Sequence, residues 1–544
     1  MSVGIDLVRK AQARVAAERG AVAVSRAARV RFALAFPNVY SVGMASLGFQ
    51  LVYRMLNDLP DASCERVFLP DPPDLEEHLR TGAELFTLES QSPLAEFDVI
   101  GFSLAFEMDY LNVLRMLRPA NVPIRSAERD ETHPLVIAGG PCATFNPEPL
   151  ADFVDAFVIG DAEEVIPELV GALLATEERD RVERLAALAG VGGVYVPRFY
   201  EPEYGALGEL VRVRNLLPAQ PLVKRPVCRG LSKFPAKSCI YTADAQFGEI
   251  TLVEVARGCG RGCRFCVTGQ INRPPRPRKF VGKLDGMRLG LVGAAVFDHP
   301  GAVDLCRRIV AAGGEFTVSS VRLETVTPEV ANLLAAGGQR TVTIAPEAGS
   351  ERLRRVINKH CTDDQILAAV SAARDAGLEK VKLYFMIGLP TETQADVESI
   401  PDLLRRLARE FPSLEFQASV SSFVPKPWTP FQWHPMERET VLKRRYATLS
   451  REIGAIRGVA FSGESPRLAM IQGLLARGDR RVGQVLETSL ENDGDYRGAI
   501  RATGLDMAWY VHRQRACEEI LPWDHIDIGI EKGRLWNEYQ EAGM

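Results

Sequence analysis

The sequence lacks several features that would assign it to common classes of protein. It contains no run of about 18 apolar residues, so it predicts no membrane-spanning helix. Residues Met1 to Arg29 are rich in Ala and Arg and have neither the apolar core nor the cleavage site of a signal peptide. The formal net charge of −5 argues against a broad nucleic-acid-binding surface. We therefore expect a soluble protein with neither a membrane nor a strong nucleic-acid partner.

The cysteines do not form a disulfide framework. Seven of the ten are scattered along the chain, which is typical of a protein from the reducing cytoplasm; they are Cys64, Cys142, Cys228, Cys239, Cys306, Cys361 and Cys517. Internal repeats and low-complexity segments are also missing. The remaining three cysteines stand close together, and they are the most informative feature of the sequence.

The composition is that of an ordinary globular protein, with 46% apolar and 25% charged residues. A chain of 544 residues predicts several domains, because domains usually contain roughly 100–200 residues. We expect an N-terminal helical extension, an α/β domain, a connecting segment with β character, a partial barrel and a helical C-terminal region; their predicted ranges are 1–29, 30–175, 176–249, 250–435 and 436–544.

Short apolar strands alternate with helices in 30–175, which predicts a doubly wound parallel sheet of the flavodoxin or Rossmann type. The predicted strands are 31–36, 97–105, 135–138 and 156–159. The alternation returns in 250–435 as six βα units, which predicts a partial (β/α)6 barrel. Its predicted strands are 250–255, 289–294, 315–321, 341–345, 380–387 and 414–420. The first helix of that barrel should be short, because the segment 273–279 contains three prolines.

The three clustered cysteines have the spacing C-x3-C-x2-C. Cys259, Cys263 and Cys266 follow the first strand of the predicted barrel, in a loop that also carries Gly258, Gly260, Gly262 and Phe265. Three thiolates can hold three irons of a cubane [4Fe–4S] cluster and leave the fourth iron open. A structural zinc site usually needs two pairs of ligands, but the sequence has no second C-x-x-C pair and no His beside the triplet.

This cysteine motif resembles that of the radical SAM superfamily. The resemblance implies that the open iron binds S-adenosylmethionine, which one electron cleaves to a 5′-deoxyadenosyl radical. It also implies a set of cofactor-binding residues at the ends of the predicted strands, namely Gly293, Ser320, Arg322, Glu347, Gly388 and Pro390. Arg322 would hold the carboxylate of the cofactor, or else pair with Glu324. Glu347 would contact the ribose, or else cap the helix that follows.

A second resemblance lies in the N-terminal α/β domain. Asn38, Tyr40 and Gly43, then Ser103, then Gly139 and Gly140, stand where cobalamin-binding domains have D-x-H-x-x-G, S-x-L and G-G. Tyr40 replaces the His that binds cobalt in that family. The resemblance thus implies cobalamin bound without a histidine ligand, or a domain that has lost cobalamin and serves as a scaffold.

Together the two resemblances place the sequence beside class B radical SAM enzymes. They imply cobalamin-dependent methyl transfer to an unactivated carbon of an unknown substrate, with a flavodoxin or ferredoxin as electron donor. One alternative is a cobalamin-free radical SAM enzyme that acts on RNA, a protein or a small molecule. Another is a non-catalytic iron–sulfur scaffold or sensor. A methylthiotransferase is disfavoured because the N-terminal region lacks a second set of three cysteines.

Overall fold

The structure is a computed structural model that describes residues 3–217 except 21, 23 and 26, then 222–279 and 288–544. The chain divides into two compact units. The first unit contains 1–249, 475–506 and 518–529, and the second contains 250–474, 507–517 and 530–544. The C-terminal region, which we expected as one helical segment over 436–544, is thus shared between both units. Within the described residues, no helix combines the length and the apolar character that crossing a membrane requires.

The first unit is built on a twisted sheet with the strand order β2-β1-β3-β4-β5-β6, counted over the described part of the chain. Its strands are β1 Val30–Phe36, β2 Ala62–Phe68, β3 Val99–Ser103, β4 Leu135–Gly139, β5 Ala156–Val158 and β6 Val194–Tyr195. The first five strands run parallel, and β6 pairs antiparallel with β5. The carboxyl ends of β1, β3 and β4 therefore meet at one edge of this sheet.

The strand β2 was not predicted, because Glu65 and Arg66 interrupt its apolar pattern. The whole strand is nevertheless buried. Glu65 accepts hydrogen bonds from the hydroxyls of Thr87 and Ser90, each at 2.5 Å. Arg66 pairs with Glu18 and Glu89. Burial of both charges is possible because each of them has hydrogen-bonding partners.

The first unit also contains helices, both between the strands of this sheet and in the later part of the chain. They are α-helices Val3–Ala16, Tyr40–Met44, Leu47–Asn57, Pro72–Thr81, Tyr110–Leu117, Pro141–Phe145, Ala162–Ala175, Arg181–Ala189, Val482–Glu491 and Tyr496–Thr503. The expected connecting segment supplies β6 and an antiparallel hairpin, Tyr200–Tyr204 with Leu210–Asn215. A short strand of this segment, Val223–Lys224, pairs with Ile526–Asp527 near the chain end.

The second unit carries two parallel sheets, and helices connect their strands. Over the described residues, one sheet contains β7 Thr251–Glu254, β8 Arg288–Val292 and β9 Glu315–Val318. The other contains β10 Thr341–Glu347, β11 Lys380–Ile387, β12 Glu415–Ser422 and β13 Val459–Gly463. The amide of Val321 bonds to the carbonyl of Thr343, which links the end of the first sheet to the second. The predicted α/β barrel architecture is confirmed, and β13 adds a strand to a region that was expected to be helical.

Several helices of this unit begin at residues whose side chains cap them. Thr362 and Thr393 each form a capping box with the residue three positions later. The α-helices are Val267–Ile271, Ala302–Ala311, Pro328–Ala336, Glu351–Val356, Asp363–Asp375, Gln394–Glu410, Glu439–Gly454, Pro466–Arg477, Met507–Val511 and Lys532–Glu541. The first of them has only five residues. This agrees with the short first helix that the prolines predicted.

Candidate functional site

The cysteine loop begins directly after β7 and is closed by a short antiparallel pair, Ala256–Arg257 with Arg276–Pro277. Gly258 has a φ of 84°, and a Cβ atom there would lie 2.3 Å from the carbonyl oxygen of Asn272. Only glycine fits this position, because any other residue would be strained and would clash. At the far end of the loop, Asn358 donates a hydrogen bond of 2.9 Å to the carbonyl of Gly262. The short antiparallel pair thus closes the base of the loop, and the side chain of Asn358 holds it at Gly262.

All three loop cysteines are free thiols that remain partly accessible. The backbone amide of Gly269 approaches the Sγ atom of Cys266 at 3.4 Å. The pKa of the Cys263 thiol is raised to about 11, mainly by burial; Lys359 opposes this shift, and Cys266 and Cys259 contribute to it. Burial also raises the pKa of Cys266, with a smaller contribution from Cys259. The three thiols are thus close enough to interact electrostatically.

The three thiols are a donor set suited to a cluster. A structural zinc ion is usually held by four protein ligands. Three thiolates can each bind a different iron of a cubane and leave the fourth iron open. The donor set fits a [4Fe–4S] cluster with one open iron.

A carboxylate and an ammonium lie beside these thiols. Glu347, at the end of β10, has a φ of 69°, which is uncommon for a residue other than glycine. The Nζ atom of Lys359 donates to its Oε1 atom at 2.9 Å. Burial lowers the pKa of Lys359, but Glu347 and Cys263 outweigh burial, so that the pKa is raised overall. Lys359 was missed in the sequence because only the fold brings it to Glu347 and Cys263.

Arg322 is bound by other carboxylates. Its guanidinium group donates to both carboxylate oxygens of Asp298 at 2.9 Å and to Glu324 at 2.8 Å. The pair with Glu324 is the alternative interpretation that the sequence allowed. The neighbouring Ser320 is exposed. Gly293 lies beside the start of the cysteine loop, since a Cβ atom there would be 3.3 Å from the carbonyl oxygen of Ala256.

The turn after β11 is stabilised from within the second unit. Gly388 has a φ of 83°, and both Gly388 and Pro390 are buried. Glu392 accepts a hydrogen bond from the amide of Gly388 at 2.9 Å and another from Arg445 at 2.7 Å. Burial raises the pKa of Glu392 to about 7, although the Gly388 amide and Arg445 oppose this shift. These contacts give the turn a defined shape next to the predicted cofactor site.

Two arginines that follow the cysteine loop are packed inside the second unit. Arg276 and Arg278 are buried. Arg278 bonds to Glu254 at 2.6 Å, and Glu254 also pairs with Arg257. These arginines anchor the end of the cysteine loop to β7.

At the carboxyl edge of the first unit, Asn38 bonds within the protein. Its side-chain oxygen accepts from the amide of Val39, and its nitrogen donates to Asp109 at 2.9 Å. Burial raises the pKa of Asp109 to about 6, while the bonds from Asn38 and Asn112 oppose this shift. Asn38 thus fixes the first loop to the residues that follow β3.

Tyr40 is covered by the N-terminal segment. Its side chain is buried, and its hydroxyl donates to Glu18 at 2.5 Å. The guanidinium group of Arg14 lies 4.4 Å from the centre of its ring. Burial raises the pKa of Tyr40, and the bond to Glu18 adds to this effect. Tyr40 therefore does not present a free hydroxyl to a ligand such as cobalt.

The small residues at this edge have close neighbours in the protein. A Cβ atom at Gly43 would lie 2.3 Å from the ring of Phe68, and one at Gly140, whose φ is 108°, would lie 2.6 Å from the carbonyl oxygen of Leu104. Gly139 lies against Val158, and Ser103 is partly accessible. Close packing within the protein is thus enough to explain why glycine occupies these positions. The residues present do not fit a cobalt-binding role for Tyr40.

Comparison with known proteins agrees with the cysteine site. A family model described as "Radical SAM superfamily" matches residues 253–404, which include the cysteine loop, Glu347 and the turn at Gly388. A second model, "Radical SAM proteins, N-terminal", matches residues 48–197. The chain belongs to the radical SAM superfamily.

Relatives of this radical SAM protein carry few functional names. An uncharacterized protein of Methanocaldococcus jannaschii is 28% identical over 474 residues, which are 84% of this chain and 90% of the relative. An uncharacterized methyltransferase of Pyrococcus horikoshii is 28% identical over 295 residues, which are 50% of this chain and 58% of the relative. Among solved structures, the cobalamin-dependent S-adenosylmethionine radical enzyme OxsB matches with a TM-score of 0.50 and 12% identity, over 94% of this chain and 79% of that one. This last likeness shows the fold.

Proposed function

We propose that this radical SAM protein holds a [4Fe–4S] cluster on Cys259, Cys263 and Cys266 and binds S-adenosylmethionine at its open iron. The observation that supports this best is the Lys359–Glu347 pair next to Cys263. S-adenosylmethionine presents a carboxylate, which needs a cation, and ribose hydroxyls, which need an acceptor. A lysine and a glutamate side by side offer both groups next to the thiols.

Lys359 is better suited than Arg322 to hold the cofactor carboxylate. Arg322 already bonds to two carboxylates, which more than offset its single positive charge. Lys359 has one carboxylate partner, and its charge is coupled electrostatically to Cys263. We assign the carboxylate contact to Lys359, and we keep Glu347 as the ribose contact.

A reduced cluster on this loop would supply one electron, which cleaves S-adenosylmethionine to methionine and a 5′-deoxyadenosyl radical. The chain's own residues prepare the site for that reaction. Gly258 lets the loop turn back towards Asn272, and the amide of Gly269 faces the Cys266 sulfur. Lys359 and Glu347 orient the cofactor. The chemistry that the bound cofactor would supply at this site is abstraction of a hydrogen atom from the substrate, with 5′-deoxyadenosine as the product.

The test is anaerobic reconstitution of the full chain with iron and sulfide, followed by reduction with dithionite or with a flavodoxin or ferredoxin system. We expect formation of 5′-deoxyadenosine and methionine from S-adenosylmethionine, measured by liquid chromatography and mass spectrometry. Protein that carries a full cluster but produces neither compound would favour the scaffold or sensor hypothesis instead.

A second candidate is methyl transfer to carbon, which the name of the Pyrococcus relative favours. S-adenosylhomocysteine is the product that a methyl donor leaves behind, so its formation beside 5′-deoxyadenosine would support this reaction. The assay is run with and without added cobalamin. The burial of Tyr40 under Glu18 and Arg14 argues that any cobalamin here would have no ligand from Tyr40. Product formation that is independent of cobalamin would favour the cobalamin-free alternative.

A further inference from the structure

One face of the four-stranded sheet in the second unit is polar and accessible. Along β11 and β12, buried residues alternate with residues that are partly or fully exposed. The buried set is apolar, as in Val381, Leu383 and Phe385. We call the alternating set the polar face; it consists of Lys380, Lys382, Tyr384, Met386, Glu415, Gln417, Ser419 and Ser421, with Ser462 of the neighbouring β13. Tyr384 is 36% exposed.

The polar face is the interior of the partial barrel, because the helices of such a barrel form its outer ring. The interior of a closed (β/α)8 barrel is filled by bulky branched side chains and packs as a core. Here most of the corresponding side chains carry hydroxyl, amide, amino or carboxylate groups, and Met386 is the exception. The hydroxyls of Ser419 and Ser462 lie 3.0 Å apart across two paired strands. A surface of this kind is suited to a polar ligand.

Lys382 gives the polar face its charge. Its Nζ atom lies 5.0 Å from the centre of the Tyr384 ring, which is a cation–π contact. Across the ranges that the structure describes, Lys382 forms no ion pair with a carboxylate. The other charged residues near this face have different positions or partners. Lys380 and Glu415 stand opposite each other where their strands begin, and Glu347 is paired with Lys359.

The contact with Tyr384 also indicates a direction. Tyr384 follows Lys382 by two residues on the same face, towards the carboxyl end of β11. The Nζ atom of Lys382 thus lies next to a side chain that stands two residues nearer the edge where the cysteine loop and Glu347 lie. An anionic group bound by Lys382 would have Ser419 beside it, because Ser419 is the register partner of Tyr384 on β12.

We propose that the part of the polar face around Lys382, Tyr384 and Ser419 binds the substrate, and that this substrate is a polar small molecule whose carboxylate or phosphate group is held by Lys382. Lys380 lies outside this site, at the start of the strand opposite Glu415. The proposal rests on the proposed radical SAM function, since it places the substrate of that reaction. The anion anchors one end of the molecule, and its remaining part extends towards the carboxyl edge, where hydrogen-atom abstraction takes place.

The first test uses inorganic phosphate and acetate as probes of the two anion types. The reconstituted wild-type chain is treated with a lysine-acetylating reagent, and the rate at each lysine is read by peptide mass spectrometry. We expect one of the two anions to slow acetylation of Lys382 several-fold and to leave Lys380 unchanged. Lys380 is a matched control, because it lies on the same strand and the same face. Equal protection of both lysines, or of neither, would overturn the proposal.

The second test uses the anion that slows acetylation of Lys382 in the first test. Calorimetry measures the affinity of each variant for this anion. Lys382→Met should weaken binding about tenfold or more, the loss expected for one charge-assisted contact. Lys382→Arg should retain most of the affinity, and Lys380→Met should bind as the wild type does. Circular dichroism of each variant shows that it is folded. Wild-type affinity in folded Lys382→Met would exclude Lys382 as the anchor.

Failure of this proposal and failure of the proposed function give different results. If the wild type forms 5′-deoxyadenosine but no anion protects Lys382, the substrate site lies elsewhere and the radical SAM function stands. If an anion protects Lys382 but S-adenosylmethionine is not cleaved, the anion site stands as a binding site and the proposed reaction is wrong.

Discussion

The two units carry similar motifs at the carboxyl ends of parallel strands, but they use them differently. In the second unit the three thiols remain partly accessible, and the glycine at 258 serves to turn the loop that presents them. In the first unit Tyr40 is buried beneath Arg14 and Glu18, and Gly43 and Gly140 are surrounded by protein atoms. A strand-end motif thus indicates a site where its side chains stay accessible, and indicates packing where they do not.

In this comparison of the two units, the largest effect is expected at the cysteine loop of the second unit. Triple replacement of Cys259, Cys263 and Cys266 by Ala should remove about four irons per chain, the content of one cubane, and abolish 5′-deoxyadenosine formation. Iron analysis and the product assay measure both losses. Cys517→Ala is the control, because this cysteine also belongs to the second unit but lies outside the loop. Iron that persists in the triple variant would mean that other residues hold the metal.

The next largest effect should come from Glu18, a residue of the N-terminal segment that covers Tyr40. Arg66 donates to both carboxylate oxygens of Glu18, at 2.6 and 2.8 Å, and the side chains of the two residues are 1% and 0% exposed. Glu18→Ala should therefore destabilise the first unit by about 3 kcal/mol, because it leaves a buried guanidinium group partly unpaired. The midpoint of urea unfolding of the full chain measures this change.

Glu249→Ala is the matched control for Glu18→Ala. Glu249 pairs with Arg19 at the surface, where both side chains are largely exposed, so its loss should cost less than about 1 kcal/mol. If Glu18→Ala destabilises the protein no more than Glu249→Ala does, the N-terminal segment contributes little stability where it covers Tyr40. Tyr40 could then become accessible, as the three thiols of the second unit are.

A smaller effect separates Lys359 from Arg322. Lys359→Met should weaken S-adenosylmethionine binding by about 10- to 100-fold, which corresponds to the loss of a charge-assisted hydrogen bond of about 1.5–3 kcal/mol. Arg322→Met should leave this affinity close to that of the wild type, because Arg322 is bonded to Asp298 and Glu324. Equilibrium binding to the reconstituted, oxidised protein measures both. The opposite ranking would return the carboxylate contact to Arg322.

Much of the fold could be predicted because apolar runs marked the strands, and β11 was predicted with its observed bounds, Lys380–Ile387. The strand β2 was missed, since the burial of Glu65 and Arg66 depends on partners that are distant in the sequence. The strand β13 was missed because Val459–Gly463 is short and carries an exposed polar residue, Ser462.

The candidate site was predictable to the extent that it is local in the sequence. The spacing of Cys259, Cys263 and Cys266 predicts a cluster without reference to the rest of the chain. Lys359 could not be recognised, because its role depends on its contact with Glu347 across a helix and a turn. The covering of Tyr40 likewise required knowledge of where Glu18 lies.

The smallest expected effect concerns Asp109, the partner of Asn38 at the edge of the first unit. Burial raises its pKa from 3.8 to about 6, and nearby Glu107 adds to the shift. The folded state then binds a proton more tightly than the unfolded state does. Stability should fall as the pH rises from about 4 to about 6 and should level off above this range. The carboxylate therefore destabilises the folded first unit at neutral pH.

Asp109→Asn should remove this dependence, because the amide oxygen can still accept the bond from Asn38 and carries no charge. We expect a gain in stability on the order of 1 kcal/mol at pH 7 and little change at pH 4. Urea midpoints between pH 4 and 8 measure it, with Asp58→Asn as the control, since Asp58 is an exposed residue paired with Arg54. A loss of stability at pH 7 would show that the charged form of Asp109 is favoured by the bonds from Asn38 and Asn112. The edge of the first unit would then hold a stabilised anion, and its polar residues would do more than close the packing around Tyr40.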